Sequence, residues 1–313
     1  MSSNQAPGRA ILEALAYSDI FNYPLRLDEL TRYLPVHLNG SDLPAALTRL
    51  DGQVGYRDGY YFLAGRQEIV SIRRRREAPS RRALRSALFY GRVLSVLPFI
   101  RIVAVTGSLA VLNCEQTSDL DFMLVAKPGR VWTARAFALA FNRLTRLFGH
   151  TLCPNLIISE NALEWPLHDL YSARELCQMI LVSGEQVYAR LIAANRWVDS
   201  LLPNARSNDF IIPEGGSGNN SVGRKIVTTL KAIFELPLRG ALGDRFESWE
   251  MKRKIARLSQ QAGYGVETVF NAEVCQGNFH HHRAWAREFF EKRLSQLNIE
   301  SPLPAGEGQG EVA

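Results

Sequence analysis

Cysteine is scarce in this sequence, uninterrupted apolar stretches of membrane-spanning length are absent, and each shortage removes a class of protein. Cys114, Cys153, Cys177 and Cys275 lie far apart with no CxxC pair, which argues against a disulfide framework or a cysteine zinc site and fits reduced thiols. The longest apolar stretch, Ala87 to Val105, is interrupted by Arg92 and Arg101, so no membrane span is expected. The opening MSSNQAPGRA lacks the basic-then-apolar order of a secretory signal. His280, His281 and His282 lack the i, i+4 spacing with a glutamate that zinc peptidases use. The expectation is a cytoplasmic protein without membrane association.

What is present suits a mixed α/β fold with a sizeable core. The chain has 313 residues, 46% of them hydrophobic, enough for two domains with a helical appendage. Its net charge of +6 is unevenly spread: Arg66 to Arg101 holds ten arginines against only Glu68 and Glu77, leaving the remainder slightly acidic. Such a concentration attracts nucleic acid or polyphosphate when it is exposed. Arg73, Arg74, Arg75 and Arg76 are the candidate contacts.

Residues 1–78 read as three short helices and a hairpin. Ala10 to Tyr17 is apolar and helical, Pro24 breaks it, and Leu27 to Leu34 has helical spacing closed by Pro35. Ser41 and Asp42 can cap a third helix with Leu43, Ala46, Leu47 and Leu50 on one face. Two β-prone arms around Asp58-Gly59 form the hairpin signal in Val54 to Leu63. This order resembles a winged helix-turn-helix domain. Its third helix offers only Arg49 as a cation beside Asp42 and Asp51, so a packing role is weighed evenly with DNA binding.

Residues 79–205 alternate between element types. Pro79 and Ser80 precede a helix from about Arg81 to Leu97. Ile102 to Val105 and Phe122 to Ala126 read as strands buried on both faces, Arg130 to Phe148 as a helix, and Leu156 to Ile158 as a third strand. Helices over Arg174 to Val182, capped by Ser172, and over Gln186 to Leu201 follow. Residues 206–221 contain a glycine-rich loop, 222–299 read as helical (Val222 to Phe234, Phe246 to Gln261, Ala284 to Leu297), and 300–313 as a disordered tail.

The chemistry concentrates between the first two strands. Gly107 permits a sharp turn, Ser108 adds a hydroxyl and an amide, and a following helix would aim free N–H groups at an anion. Strand alternation puts Asp119 and Asp121 on one face, with Leu120 and Phe122 on the other. Paired carboxylates opposite a phosphate-binding turn suit Mg2+, which takes one or two carboxylates plus substrate phosphates.

Thr106-Gly107-Ser108 followed by Ser118-Asp119-Leu120-Asp121-Phe122 resembles the DNA polymerase beta-like nucleotidyltransferase superfamily. The resemblance implies a small mixed sheet with helices and transfer of a nucleoside monophosphate from a nucleotide triphosphate. Asp119 and Asp121 would be catalytic and hold Mg2+ or Mn2+, while Gly107 and Ser108 would hold the nucleotide. It also implies a third carboxylate on a later strand. At that place the sequence has Asn155, which can donate oxygen but cannot act as a base, with Glu160 at the far end; Glu164 and Asp169 are further candidates. Arg174 and Glu175 read as an ordinary surface pair, Lys127 and Arg130 as helix-entry residues, and Arg135, Arg143 and Arg146 as a solvated face. The acceptor is open: a small molecule, a protein side chain or an RNA end. The alternatives are a non-catalytic DNA-binding or partner-binding regulator with a degenerate nucleotidyltransferase domain, and one half of a two-component pair.

Overall fold

A computed structural model describes residues 6–38, 42–115, 119–205, 229 and 231–300. Helices α1 (Ala6–Asp19), α2 (Leu27–Arg32) and α3 (Asp42–Arg49) precede a hairpin of β1 (Val54–Arg57) and β2 (Tyr60–Leu63). Asp58 and Gly59 take φ of +55° and +84°, as a tight hairpin turn with two left-handed positions requires. Ser41, the expected cap of α3, lies outside the described residues, as do Ser118, the glycine-rich loop, the first residues of the helix expected from Val222, and the tail from Ser301.

Helix α4 (Glu68–Val96) corrects the expected break at Pro79 and Ser80: it runs unbroken for 29 residues through Pro79. An internal proline removes one helical hydrogen bond. Burial on both sides of it offsets that loss: Ile69 and Val70 pack beneath the hairpin, and Ala87 and Leu94 pack on the sheet. Ser80 stays useful as well, its hydroxyl accepting the Cys114 N–H at 3.2 Å.

Six strands form one mixed sheet: β3 (Ile100–Val105), β4 (Leu120–Ala126), β5 (Leu152–Ser159), β6 (Ile180–Ser183), β7 (Thr268–Phe270) and β8 (Val274–Gly277), in the order β6-β3-β4-β5-β8-β7. Only β4 and β5 run parallel. Two sequence expectations fail here. Residues 180–182, read as the end of a helix, form edge strand β6, because a short apolar run does not distinguish strand from buried helix. Residues 222–299, read as a helical region with helices at about Val222 to Phe234, Phe246 to Gln261 and Ala284 to Leu297, contribute β7 and β8 between the last two of these, which extend the sheet beyond β5.

The remaining helices are α5 (Gly107–Ala110), α6 (Val131–Arg146), α7 (Leu170–Gln178), α8 (Glu185–Ala194), α9 (Val198–Leu201), α10 (Ala241–Leu258) and α11 (His282–Gln296). The single helix expected over Gln186 to Leu201 breaks at Asn195, whose buried side chain accepts the Trp165 N–H and donates to the Leu163 carbonyl, both at 2.8 Å. Among the described residues no helix is long and apolar enough to cross a membrane.

Alternation along the strands divides the core. Val103, Val105, Phe122 and Leu124 pack with Trp132 and Ala134 of α6 and with α4. Ala104, Met123 and Val125 pack with Leu176 of α7, Leu191 of α8, Leu15 of α1 and Phe290 of α11. Both faces are covered, which is why β3 and β4 read as continuous apolar runs. The same period of two assigns Asp121 to the α7 side.

Candidate functional site

Gly107, two residues beyond β3 and the first of α5, has φ +66°, a conformation a glycine adopts without strain. It also needs the missing side chain: a Cβ there would lie 2.9 Å from Oδ2 of Asp121. The turn and the acid are therefore in close approach, reinforced by the Thr106 N–H donating to the Asp121 carbonyl at 3.1 Å. Helix α5 is only one turn long, so it contributes individual amides rather than a substantial macrodipole. Ser108 is exposed beside Gly107.

Asp121 is half-buried, and Asp119, just ahead of β4, is exposed. Burial pushes the Asp121 carboxyl up to about 6; the Asp119 charge adds to the rise and an Asn155 hydrogen bond opposes it. Asn155 reaches this position through an irregularity in the β4–β5 register, where Phe122 pairs with Pro154 and Met123 with Leu156, leaving Asn155 as the extra residue. Its side-chain nitrogen donates to Asp121 Oδ1 at 2.8 Å, and its oxygen accepts from the Cys153 thiol, also at 2.8 Å. Burial, with the charges of Asp121 and Asp119, raises that thiol to about 12, so it remains a neutral donor.

Glu160 does not join them. At the far end of β5 it pairs with Arg190 and lies 4.0 Å from Arg101. Glu164 pairs with His168 at 3.5 Å, and Asp169 accepts the Ser172 N–H as the cap of α7.

The acid that does arrive is Glu175, read from sequence as a surface residue. Helix α7 carries it across the sheet face to the glycine turn, where the Gly107 backbone N–H favours its charged form. Burial first, and then the Asp121 charge, raises Glu175 to about 7 despite that opposing influence. It also accepts a hydrogen bond from Gln178. The available signal was phase: with Asp169 rather than Ser172 as cap, Ala173 and Leu176 form the buried stripe and Glu175 flanks it.

The Asp119 charge thus bears on Asp121 and the Asp121 charge on Glu175, and among the described residues neither Asp121 nor Glu175 owes its shift to a cation. Carboxyl groups raised by burial and by a neighbouring negative charge mark a place that favours an added positive charge. Oxygen donors of this kind fit Mg2+ or Mn2+. Among the described residues no three His, Cys, Asp or Glu side chains stand together as a ready-made metal cage, so a metal here would draw the rest of its shell from substrate and water.

The basic cluster is dispersed. Arg73 is 6% exposed, bound to the Glu29 carboxylate at 2.6 and 2.7 Å and stacked over Tyr23 and Tyr60. That corrects its nomination as a nucleic-acid contact, since a guanidinium held inside the N-terminal core cannot meet a phosphate. Arg76 pairs with Glu115 at 2.8 Å and Arg74 with Asp58 at 3.0 Å, while Arg75 is exposed. Arg130 is buried and pairs with Asp244 at 2.7 Å, fastening α6 to α10. Arg135 turns inward over Trp132, and its charge bears on the buried Cys275 thiol, unlike a solvated face. No protein-family model, curated protein or solved structure matches this chain.

Proposed function

We propose that the protein is a metal-dependent nucleotidyltransferase of the DNA polymerase beta-like type, joined to an N-terminal domain of winged-helix type. The observation that carries this reading is the close approach of Asp121 to the positive-φ Gly107 turn, with the Asp119 charge bearing on Asp121 and the Asp121 charge on Glu175. Asp119 and Asp121 would hold Mg2+ or Mn2+, which supplies neutralisation of charge on the attacking and leaving oxygens.

The remaining roles follow from the chain's own groups. Ser108 presents its hydroxyl and amide to the triphosphate, and Gly107 lets the backbone come close. Glu175, poised near neutrality, takes the proton of the acceptor hydroxyl. The freed oxygen attacks the α-phosphorus, the bond from that phosphorus to the bridging oxygen breaks, and pyrophosphate leaves. Asn155 orients Asp121 and takes no proton. Asn155 in place of an acid favours the second reading, a regulator that binds nucleotide without turning it over.

Incubation with labelled ATP, GTP, CTP and UTP, Mg2+ or Mn2+, and cell extract as acceptor source tests this. Wild type should transfer label; Asp119→Ala/Asp121→Ala and Glu175→Gln should not. Metal-dependent nucleotide binding by calorimetry without labelling selects the regulator, and absence of both removes the nucleotide reading.

A further inference from the structure

A cleft away from the Gly107 site is walled in part by Leu170 and Arg174 of α7. Its volume is about 1080 Å³, and its walls come from α1, α3, α7, α9 and the end of α11. Leu12, Leu50, Leu202, Phe290 and Ile299 make it largely apolar, and its size is that of a site for an organic molecule.

Of the charged residues that line it, Arg174 is the most deeply buried, and no ion pair is formed by it among the described residues. Arg174 lines the cleft and is 6% exposed. Its guanidinium lies 3.7 Å from the ring centre of Tyr33 and 4.8 Å from that of Tyr17. Its Nε is enclosed without a hydrogen-bond partner among the described residues. The groups that bear most on its charge are desolvation, the Tyr33, Tyr17 and Tyr23 phenols and the Cys177 thiol, none of them a carboxylate. Glu13, which also lines the cleft, is paired with Arg9 at 2.7 Å.

A guanidinium stays charged in proteins, and a buried charge left unpaired is strongly unfavourable. Two aromatic faces compensate only part of it. We propose that the cleft binds an amphipathic organic monoacid, with Arg174 pairing its carboxylate and the apolar walls enclosing its hydrocarbon body. A planar carboxylate matches the guanidinium fork. One unpaired cation neutralises one negative charge, so a monoanion fits better than a phosphate monoester dianion. The site is separate from the nucleotide reading and does not depend on it.

Calorimetric titration of the full chain with sodium decanoate, below its micelle-forming concentration, tests the inference, with sodium octanoate and 1-octanol as the charged and neutral pair. Saturable one-to-one decanoate binding is expected, with octanoate at least about tenfold tighter than 1-octanol, as a charge-assisted pair gives. Arg174→Met should weaken decanoate by about the same factor and leave 1-octanol nearly unchanged. Gln53→Trp and Ser200→Trp, exposed lining positions, should narrow the cleft and weaken every ligand, which keeps the test decisive if Arg174→Met does not fold. Failure of wild type to bind decanoate, non-saturable binding, equal binding of octanoate and 1-octanol, or undiminished binding by Arg174→Met or both rim variants would overturn it. That last outcome would leave Arg174 as a cation held between Tyr17 and Tyr33 for packing alone.

Discussion

Asn155 donates to Oδ1 of Asp121 at 2.8 Å while its own oxygen accepts from the Cys153 thiol, so its orientation is fixed from both sides. A neutral donor thereby steadies the acid that a second carboxylate would repel. Asn155→Asp exchanges that hydrogen bond for like-charge repulsion beside Asp121 and Asp119. In the presence of a chelator the variant should melt about 2–4 °C below wild type, and Mn2+ should restore more stability to it than to wild type. Differential scanning fluorimetry with and without Mn2+ reads both effects, and an unchanged melting temperature in chelator would show that Asp121 does not feel the substitution.

Glu175 gives a prediction in pH. Its carboxyl is raised from an ordinary 4.5 to about 7, so between those values the folded chain keeps a proton that the unfolded chain has released. Stability from this group is therefore fully present below about pH 4.5, falls as pH rises toward 7, and stays lower above it. Glu175→Gln keeps an oxygen for the Gly107 N–H but does not titrate. By pH 8 the variant should be about 1–2 kcal/mol more stable than wild type, with the two converging at pH 5. Urea unfolding across that range checks it; a difference independent of pH would refute the assignment of the shift to this residue. Greater stability together with abolished labelling would mark an acid retained for chemistry rather than folding.

The close approach at the turn leads to a third expectation. Gly107→Ala forces a side chain into φ +66° and against Asp121 Oδ2. The backbone term alone is about 1–2 kcal/mol. The variant should unfold at lower denaturant concentration by that amount and bind nucleotide about tenfold or more weakly, measured by calorimetry. Ser108→Ala removes only an exposed hydroxyl and should leave stability near wild type. If Gly107→Ala binds nucleotide normally, the turn is not part of the site.

Local backbone demands were legible in the sequence, and long-range encounters were not. Asp58-Gly59 announced a hairpin because few other pairs tolerate its left-handed turn, and Gly107 with the aspartates announced a strand–turn–strand unit for a similar reason. Glu175 was opaque because it reaches the Gly107 turn from a helix lying across the sheet, not from β5, and because Ser172 has the chemistry of the cap that Asp169 provides. Asn155 was located on its strand, but its register irregularity depends on pairing with β4. The strands β7 and β8 were hidden in short segments whose partner, β5, lies more than a hundred residues earlier. Pro79 misled in the opposite direction: a strong local breaker was overridden by packing at both ends of α4.

The arginine run shows why charge in sequence is not charge on a surface, and it separates two kinds of variant. Arg73 joins α4 to the N-terminal helices through Glu29 and the Pro24 carbonyl. Its replacement by Met leaves Glu29 without its main partner, and the expected loss is about 2–4 kcal/mol of stability, as for breaking a largely buried pair. Arg75, exposed on α4, should tolerate Arg75→Glu with less than about 0.5 kcal/mol of change. If the N-terminal domain meets nucleic acid through this face, reversal of Arg74 and Arg75 should flatten the dependence of log K on log salt by about one unit for each phosphate no longer neutralised. Equilibrium unfolding and fluorescence anisotropy against duplex DNA at several salt concentrations separate the two effects. An Arg73→Met protein as stable as wild type would refute its structural role, and an unchanged salt slope after reversing Arg74 and Arg75 would remove this face from any nucleic-acid interface.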